Sequence, residues 1–74
     1  MKDEDIYLYP NPSENILIIK GLNKNEFYTI YNILGEALIA RSTSNSEEID
    51  VKNLSNGLYF LKLDSGKTFQ FIKK

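Results

Sequence analysis

The sequence predicts an all-β domain of about seven short antiparallel strands, and three observations support this fold class. Short runs rich in Ile, Val, Tyr, Phe and Thr recur about every 8 to 12 residues, a spacing typical of a β-sandwich or barrel. Clusters of Asn, Gly, Ser and Pro separate these runs, and no segment has a convincing helical period. The expected strands are residues 6–9, 15–19, 26–31, 37–41, 48–51, 58–63 and 68–73.

The sixth and seventh strands have the clearest pattern. Alternate side chains of a strand point to opposite faces, so we expect one apolar set of the sixth strand to face the core: Tyr59, Leu61 and Leu63. Residues 64–66, Asp-Ser-Gly, are typical of a hairpin turn, and the alternation resumes after them. Phe69 and Phe71 therefore face inward if the two strands form a hairpin.

Prolines and glycines mark the expected chain reversals. Pro10 and Pro12 fix their own φ angles and lack an N–H, so the first strand must end there. Asn11, which precedes a proline, is restricted to extended geometry. Gly35 and Gly57 lie where a reversal requires a positive φ, which glycine adopts without steric cost.

Composition excludes several classes of function. The 74 residues include no cysteine and no histidine, which removes disulfides, thiolate metal sites and the commonest general base. The net charge is −1 and the basic residues are dispersed, so no nucleic-acid surface is predicted. The longest apolar run, residues 16–19, is far shorter than a membrane span. We therefore expect no enzyme activity, no catalytic or metal site, no cofactor and no membrane span.

The chain is expected to hold a single domain. Residues 6–74 form that domain, and residues 1–5 are interpreted as a linker remnant or an added start. Met1 and Lys2 are followed by acidic residues rather than by an apolar signal segment, so we interpret the sequence as an excised fragment with an added start methionine, whose parent extends upstream.

Oxygen-bearing side chains are the remaining candidates for chemistry. Glu47, Glu48 and Asp50 are close in sequence, but only Glu48 and Asp50 share a strand face, and a solvated surface explains them. Four hard oxygen donors near turns are candidate calcium ligands: Asp50, Asn53, Asp64 and Ser65. Their spacing matches no calcium loop, and turn hydrogen bonds explain them better.

Aromatic residues leave one alternative open. Five tyrosines and four phenylalanines suit either a packed core or a stacking platform for sugars or bases. Core and cross-strand packing is favoured for most rings. Exposed rings at Tyr7, Tyr9 or Tyr31 would instead indicate a small carbohydrate- or protein-binding accessory module.

The order of the motifs is more informative than any one of them. Tyr9-Pro10-Asn11-Pro12 precedes a short apolar strand, and Tyr31-Asn32-Ile33-Leu34-Gly35 ends a central strand. Leu54-Ser55-Asn56-Gly57-Leu58-Tyr59 begins a late strand, and Lys73-Lys74 ends the chain. This series, from Tyr9 to Lys74, resembles the C-terminal sorting domain of type IX (Por) secretion.

The resemblance implies both fold and function. The family fold is an immunoglobulin-like seven-stranded sandwich at the C-terminus of an exported cargo protein. The type IX translocon of the outer membrane recognises it after the cargo reaches the periplasm, and a sortase-like surface protease then removes it. The expected destination is the cell surface or the medium of a Gram-negative bacterium, and the expected partners are the translocon, the protease and a covalently linked N-terminal cargo.

The resemblance also assigns motif residues: Pro10, Asn11, Pro12, Gly35, Gly57, Tyr59, Lys73 and Lys74. A small sandwich needs most of these residues simply to fold, so we expect the prolines, Asn11, the glycines and Tyr59 to be mainly structural. Lys73 and Lys74 are expected to form an exposed terminus that adds little stability. They are the predicted recognition contacts.

Overall fold

A computed structural model describes residues 6–74, and all of its regular elements are β-strands. They are β1 (Tyr7–Tyr9), β2 (Ile16–Lys20), β3 (Glu26–Tyr31), β4 (Ala37–Thr43), β5 (Glu48–Asp50), β6 (Gly57–Leu63) and β7 (Thr68–Lys73). Each corresponds to one predicted strand, with ends that differ by at most two residues. The all-β prediction is confirmed.

The strands form two antiparallel sheets. The three-stranded sheet has the order β1-β2-β5, and the four-stranded sheet has the order β4-β3-β6-β7. The predicted hairpin of β6 and β7 is present, with Tyr59 paired to Phe71 and Leu61 paired to Phe69. Two sheets with separate strand orders and a shared core make the domain a small β-sandwich rather than a closed barrel.

The core lies between the sheets and takes alternate side chains from their inner faces. Its fully buried members come from four strands and from the segment after β5: Leu17, Ile19, Ile30, Val51, Leu61, Leu63 and Phe71. Tyr59 is also buried, as the alternation predicted. Phe69 is only half-buried and packs against the margin of this core, near the turn that joins β6 to β7.

Two expectations concern the boundaries of the domain. The interpretation of residues 1–5 as a linker remnant or added start lies outside the described residues. The structure describes residues 6–74, and these contain no helix with the length and apolar character that crossing a membrane requires.

Candidate functional site

The motif residues gather at one end of the four-stranded sheet. β6 begins at Gly57 and β7 ends at Lys73, and these two residues are paired. The turn that contains Gly35 follows Tyr31, which pairs with Phe60 near the same end of β6. We call the following residues the motif end: Pro10, Asn11, Pro12, Gly35, Gly57, Tyr59, Lys73 and Lys74.

Asn11 covers part of the outer edge of β7. Its Oδ1 accepts a hydrogen bond from the Ile72 N–H at 3.1 Å, and its Nδ2 donates to the Gln70 carbonyl at 3.4 Å. These are the donor and acceptor that a neighbouring strand would otherwise satisfy. The Asn11 amide therefore substitutes for one peptide group of an additional strand.

Ser13 continues this cover with its backbone. It forms a parallel bridge with Lys73: the Ser13 N–H donates to the Ile72 carbonyl, and the Lys74 N–H donates to the Ser13 carbonyl, both at 2.8 Å. The Ser13 side chain is fully buried, and its hydroxyl donates to the Pro10 carbonyl. Residues 11–13 thus protect the end of β7 from pairing with another chain.

The turn between β3 and β4 is organised by Asn32. Its Oδ1 accepts from the N–H groups of Leu34 at 2.9 Å and Glu36 at 3.0 Å, and its Nδ2 donates to the Glu36 carboxylate at 2.7 Å. Gly35 has a φ of 82° and donates its N–H to the Asn32 carbonyl. The predicted positive φ is confirmed at Gly35, and also at Gly57, where it is 151°.

Tyr59 joins the motif end to the core. Its ring stacks on Phe71 with centroids 5.6 Å apart and planes 22° from parallel. Its hydroxyl donates to the Ser55 carbonyl at 2.6 Å, which ties the loop before β6 to the sheet. The late-strand tyrosine is consequently a packing and loop-fixing residue whose ring is nearly closed to solvent.

The two terminal lysines differ, and the expectation of a fully exposed terminus is wrong for Lys73. Lys73 is 7% exposed because it continues the inward-facing series of Phe69 and Phe71, and Ser13 lies beside it. Its Nζ donates to the Lys74 carbonyl at 3.2 Å. Lys74 is exposed, as predicted.

A comparison with protein-family models identifies the family of this domain. The family model described as "Secretion system C-terminal sorting domain" matches residues 7–74. The chain belongs to this family. No curated protein matches the sequence. Members of the family are sorting signals of type IX secretion rather than catalysts, and membership implies interaction with the secretion system and export to the cell surface or beyond.

The sorting domain's oxygen-bearing candidates behave as turn and surface residues. Glu48 and Asp50 are exposed on either side of buried Ile49, and Asp50 Oδ1 accepts a hydrogen bond from the Lys52 N–H at 3.0 Å. Asp64 lies in the β6–β7 turn of the other sheet, away from Asp50. Within residues 6–74, no group of three or more His, Cys, Asp or Glu residues is placed to hold a metal ion.

Sequence reasoning missed two residues that hydrogen-bond to the motif end of the sorting domain, Asn32 and Ser13. The role of Asn32 could be predicted from the sequence, since an asparagine shortly before a turn glycine commonly hydrogen-bonds to the backbone of its own turn. Ser13 has no comparable signal in the sequence. Its bridge to Lys73 joins positions sixty residues apart in sequence, and no local pattern reports such a contact.

Proposed function

We propose that this domain is the C-terminal secretion signal of a longer cargo protein. It directs that cargo through the type IX translocon of the outer membrane, and a sortase-like surface protease then removes it. The observation that carries the proposal is the family match over residues 7–74. The clustering of the motif residues at one end of the sandwich supports it, because a signal read as a folded surface needs its elements in one place.

The motif residues have two roles in this proposal. Asn11, Gly35, Gly57 and Tyr59 hold the backbone and core that shape the motif end. Lys74, which is exposed, contacts the translocon, whereas Lys73 positions the end of β7. The protease cuts before β1, which leaves the sandwich intact as the released product.

A fusion experiment tests the proposal. Residues 3–74 are placed behind a reporter with an ordinary export signal and are expressed in a host that has a type IX apparatus. The expected result is a reporter at the cell surface or in the medium, together with a released fragment whose mass places the cut before Tyr7. A reporter that stays in the periplasm although its sandwich is folded would refute the secretion role.

The role of Lys74 is tested by substitution rather than by deletion. Deleting the last two residues would remove the pairing of Lys73 with Gly57 and the bond from the Lys74 N–H to Ser13. Lys74→Glu keeps this backbone intact and should trap the reporter in the periplasm. Lys67→Glu, at an exposed lysine in the β6–β7 turn, is the matched control and should be secreted normally. Equal secretion of both variants would remove Lys74 from the recognition surface.

A second candidate function rests on the two tyrosines of β1. Tyr7 and Tyr9 are 53% and 39% exposed, and their rings lie on the same face with centroids 5.9 Å apart. Such a pair suits the face of a sugar ring. Titrating oligosaccharides against tyrosine fluorescence tests this binding-module alternative. A saturable change that Tyr7→Ala abolishes would favour it, and no change at high sugar concentration would exclude it.

A further inference from the structure

One side of the sandwich is open, away from residues 11–13. A groove of about 560 Å³ lies between β4 of one sheet and β5 of the other. Its floor is formed by buried or half-buried side chains, among them Tyr28, Ile49, Val51 and Leu54. Both strands that flank it are edge strands, because β4 and β5 each end the strand order of their sheet.

The free edge of β4 can be assigned from the hydrogen bonds of its neighbour β3. The Phe27 carbonyl accepts from the Asp64 N–H, so the backbone groups of Phe27 point toward β6. Because these directions alternate along a strand, Tyr28 and Ile30 bond to β4, where they pair with Arg41 and Ile39. The intervening Ala40 and Ser42 therefore direct their N–H and C=O groups away from β3, toward the groove side.

The edge of β5 has the same property over a shorter length. The Val51 N–H donates to the Asn15 carbonyl, so the pairing with β2 uses Val51 and Ile49. The backbone groups of Glu48 and Asp50 consequently point outward. Within residues 6–74, no backbone hydrogen bond outside the sheets involves Ala40, Ser42, Glu48 or Asp50.

The two edge strands of the four-stranded sheet, β7 and β4, thus differ in whether their outward backbone groups have hydrogen-bond partners. On β7, Asn11 and Ser13 bond the Gln70 carbonyl, both outward groups of Ile72 and the Lys74 N–H. On β4, which spans seven residues, the outward groups of Ala40 and Ser42 have no such partner in the described part of the chain. An open edge of this length accepts an extended chain by strand addition, with the main chain supplying hydrogen bonds and alternate side chains supplying specificity.

Charge indicates what kind of chain fits. Three carboxylates line the groove, from Glu47, Glu48 and Asp50, against the single guanidinium of Arg41. Asp50 is 4.0 Å from Lys52 in an exposed pair, and Glu47 accepts hydrogen bonds from Ser44. The exposed Glu48 side chain has no such partner among residues 6–74. The rim thus favours a basic partner, while the floor favours small apolar side chains.

We propose that the edge of β4 and the adjacent groove bind an extended peptide segment with alternating apolar residues and basic ends, added as a further strand beside Ala40 and Ser42. If the domain is the secretion signal proposed above, that segment belongs to the secretion machinery. The binding of the peptide itself does not depend on that role.

A defined peptide tests the binding directly. The probe is acetyl-Lys-Val-Thr-Val-Thr-Val-Lys-amide, added to the full chain and followed through backbone amide shifts and hydrogen exchange. The expected result is saturable shifts at Ala40 and Ser42 with slowed exchange of their N–H groups. The same peptide N-methylated at alternate residues, which cannot complete the ladder, should not bind. Equal binding of both peptides, or shifts confined to β7, would overturn the proposal.

Two pairs of variants localise the site. Ala40→Pro removes an outward N–H without breaking a bond to β3, and should abolish binding of the probe, whereas Ala40→Val should retain it. Glu48→Gln should weaken binding about threefold, as expected for one exposed charge pair, and Glu14→Gln, an exposed carboxylate elsewhere, should not. Unchanged binding in folded Ala40→Pro would place the peptide elsewhere. If Ala40→Pro unfolds, the comparison of the unmodified and N-methylated peptides on the wild-type chain still tests whether the peptide binds by strand addition.

The secretion assay separates this inference from the proposed function. In the reporter fusion, Ala40→Pro should retain the cargo in the periplasm, while Thr68→Pro, at the outer edge of β7, should not. Secretion of both would show that the edge is not used for export. A wild-type fusion that fails to leave the periplasm, combined with specific peptide binding at Ala40, would refute the secretion role and keep the binding site.

Sedimentation of the chain alone checks whether a second copy of the chain occupies the β4 edge instead. A dimer that dissociates in the Ala40→Pro variant would overturn the assignment of a basic segment to this edge.

Discussion

The side chain of Asn11 takes the place of a neighbouring strand beside Ile72, and this contact joins the start of the sorting domain to its end. Asn11 Oδ1 accepts from the Ile72 N–H at 3.1 Å, across sixty-one positions of sequence. The Pro-Asn-Pro segment and the terminal strand are therefore one structural unit. Two motifs that lie at opposite ends of the sequence thus meet in the folded domain.

Asn11→Ala should lower the free energy of unfolding by about 1 kcal/mol, because two hydrogen bonds to the β7 edge are lost at a solvent-accessible site. Asn11→Asp should cost less, since a carboxylate still accepts from Ile72 but no longer donates to Gln70. Urea denaturation measures both, and hydrogen exchange at Ile72 gives the local effect. An Ile72 amide that exchanges no faster in Asn11→Ala would contradict this role.

Tyr59→Ala should destabilise the domain by about 3 kcal/mol, the usual cost of truncating a core aromatic residue. Tyr59→Phe keeps the stacking on Phe71 and loses only the bond to the Ser55 carbonyl, so its cost should be about 1 kcal/mol. Chemical denaturation of both variants separates ring packing from the hydroxyl. Similar costs for the two would mean that the hydroxyl, and not the ring, carries the contribution of Tyr59.

Gly35→Ala should cost about 1 kcal/mol through backbone conformation alone. The φ of 82° is unfavourable for a residue with a Cβ. Apart from Gly35 and its two chain neighbours, no described residue has a heavy atom within 4 Å of the position where that Cβ would be. Gly35→Asn should cost less, because asparagine tolerates this region better. Thermal and urea unfolding provide the comparison. If the asparagine variant is the less stable of the two, a clash or a lost turn bond must explain the effect.

The fold of this domain could be predicted because its signals are local. The two-residue alternation from Tyr59 to Leu63 fixes which side chains enter the core, and Gly35 fixes a reversal through its own φ. Both depend on residues within one strand or turn. The sequence does not reveal which strands share a sheet. The pairing of β3 with β6, for example, joins segments about thirty residues apart, and no residue pattern within either strand identifies its partner.

The candidate site was predicted less well for the same reason. Its residues could be named from the order of the motifs, but Lys73 was expected at an exposed terminus and is buried beside Ser13. A terminal lysine carries no sign of whether a distant segment covers it. The open edge of β4 was equally invisible, because an edge is defined by the absence of a neighbour, which only the assembled sheet reveals.

Alkaline pH should destabilise the domain through Tyr28, whose buried ring forms part of the groove floor. Burial raises the pKa of the Tyr28 phenol above its ordinary value of 10.0; the Arg41 guanidinium opposes this shift, and the Glu47 carboxylate adds to it. The unfolded chain therefore loses this proton at lower pH than the folded domain. The stabilisation is complete below about pH 10 and is lost as the pH rises through the folded pKa, by at most about 1.4 kcal/mol per pH unit. Tyr28→Phe lacks this proton, so its stability relative to wild type should be constant below pH 10 and should improve above it.

Urea denaturation across this range makes the measurement, with Tyr7→Phe as the control for removing an exposed hydroxyl. Arg41→Gln should raise the Tyr28 pKa further, seen as later appearance of tyrosinate absorbance. If Tyr28→Phe follows the wild-type curve in parallel through pH 11, the phenol ionises as readily in the folded domain as in the unfolded chain.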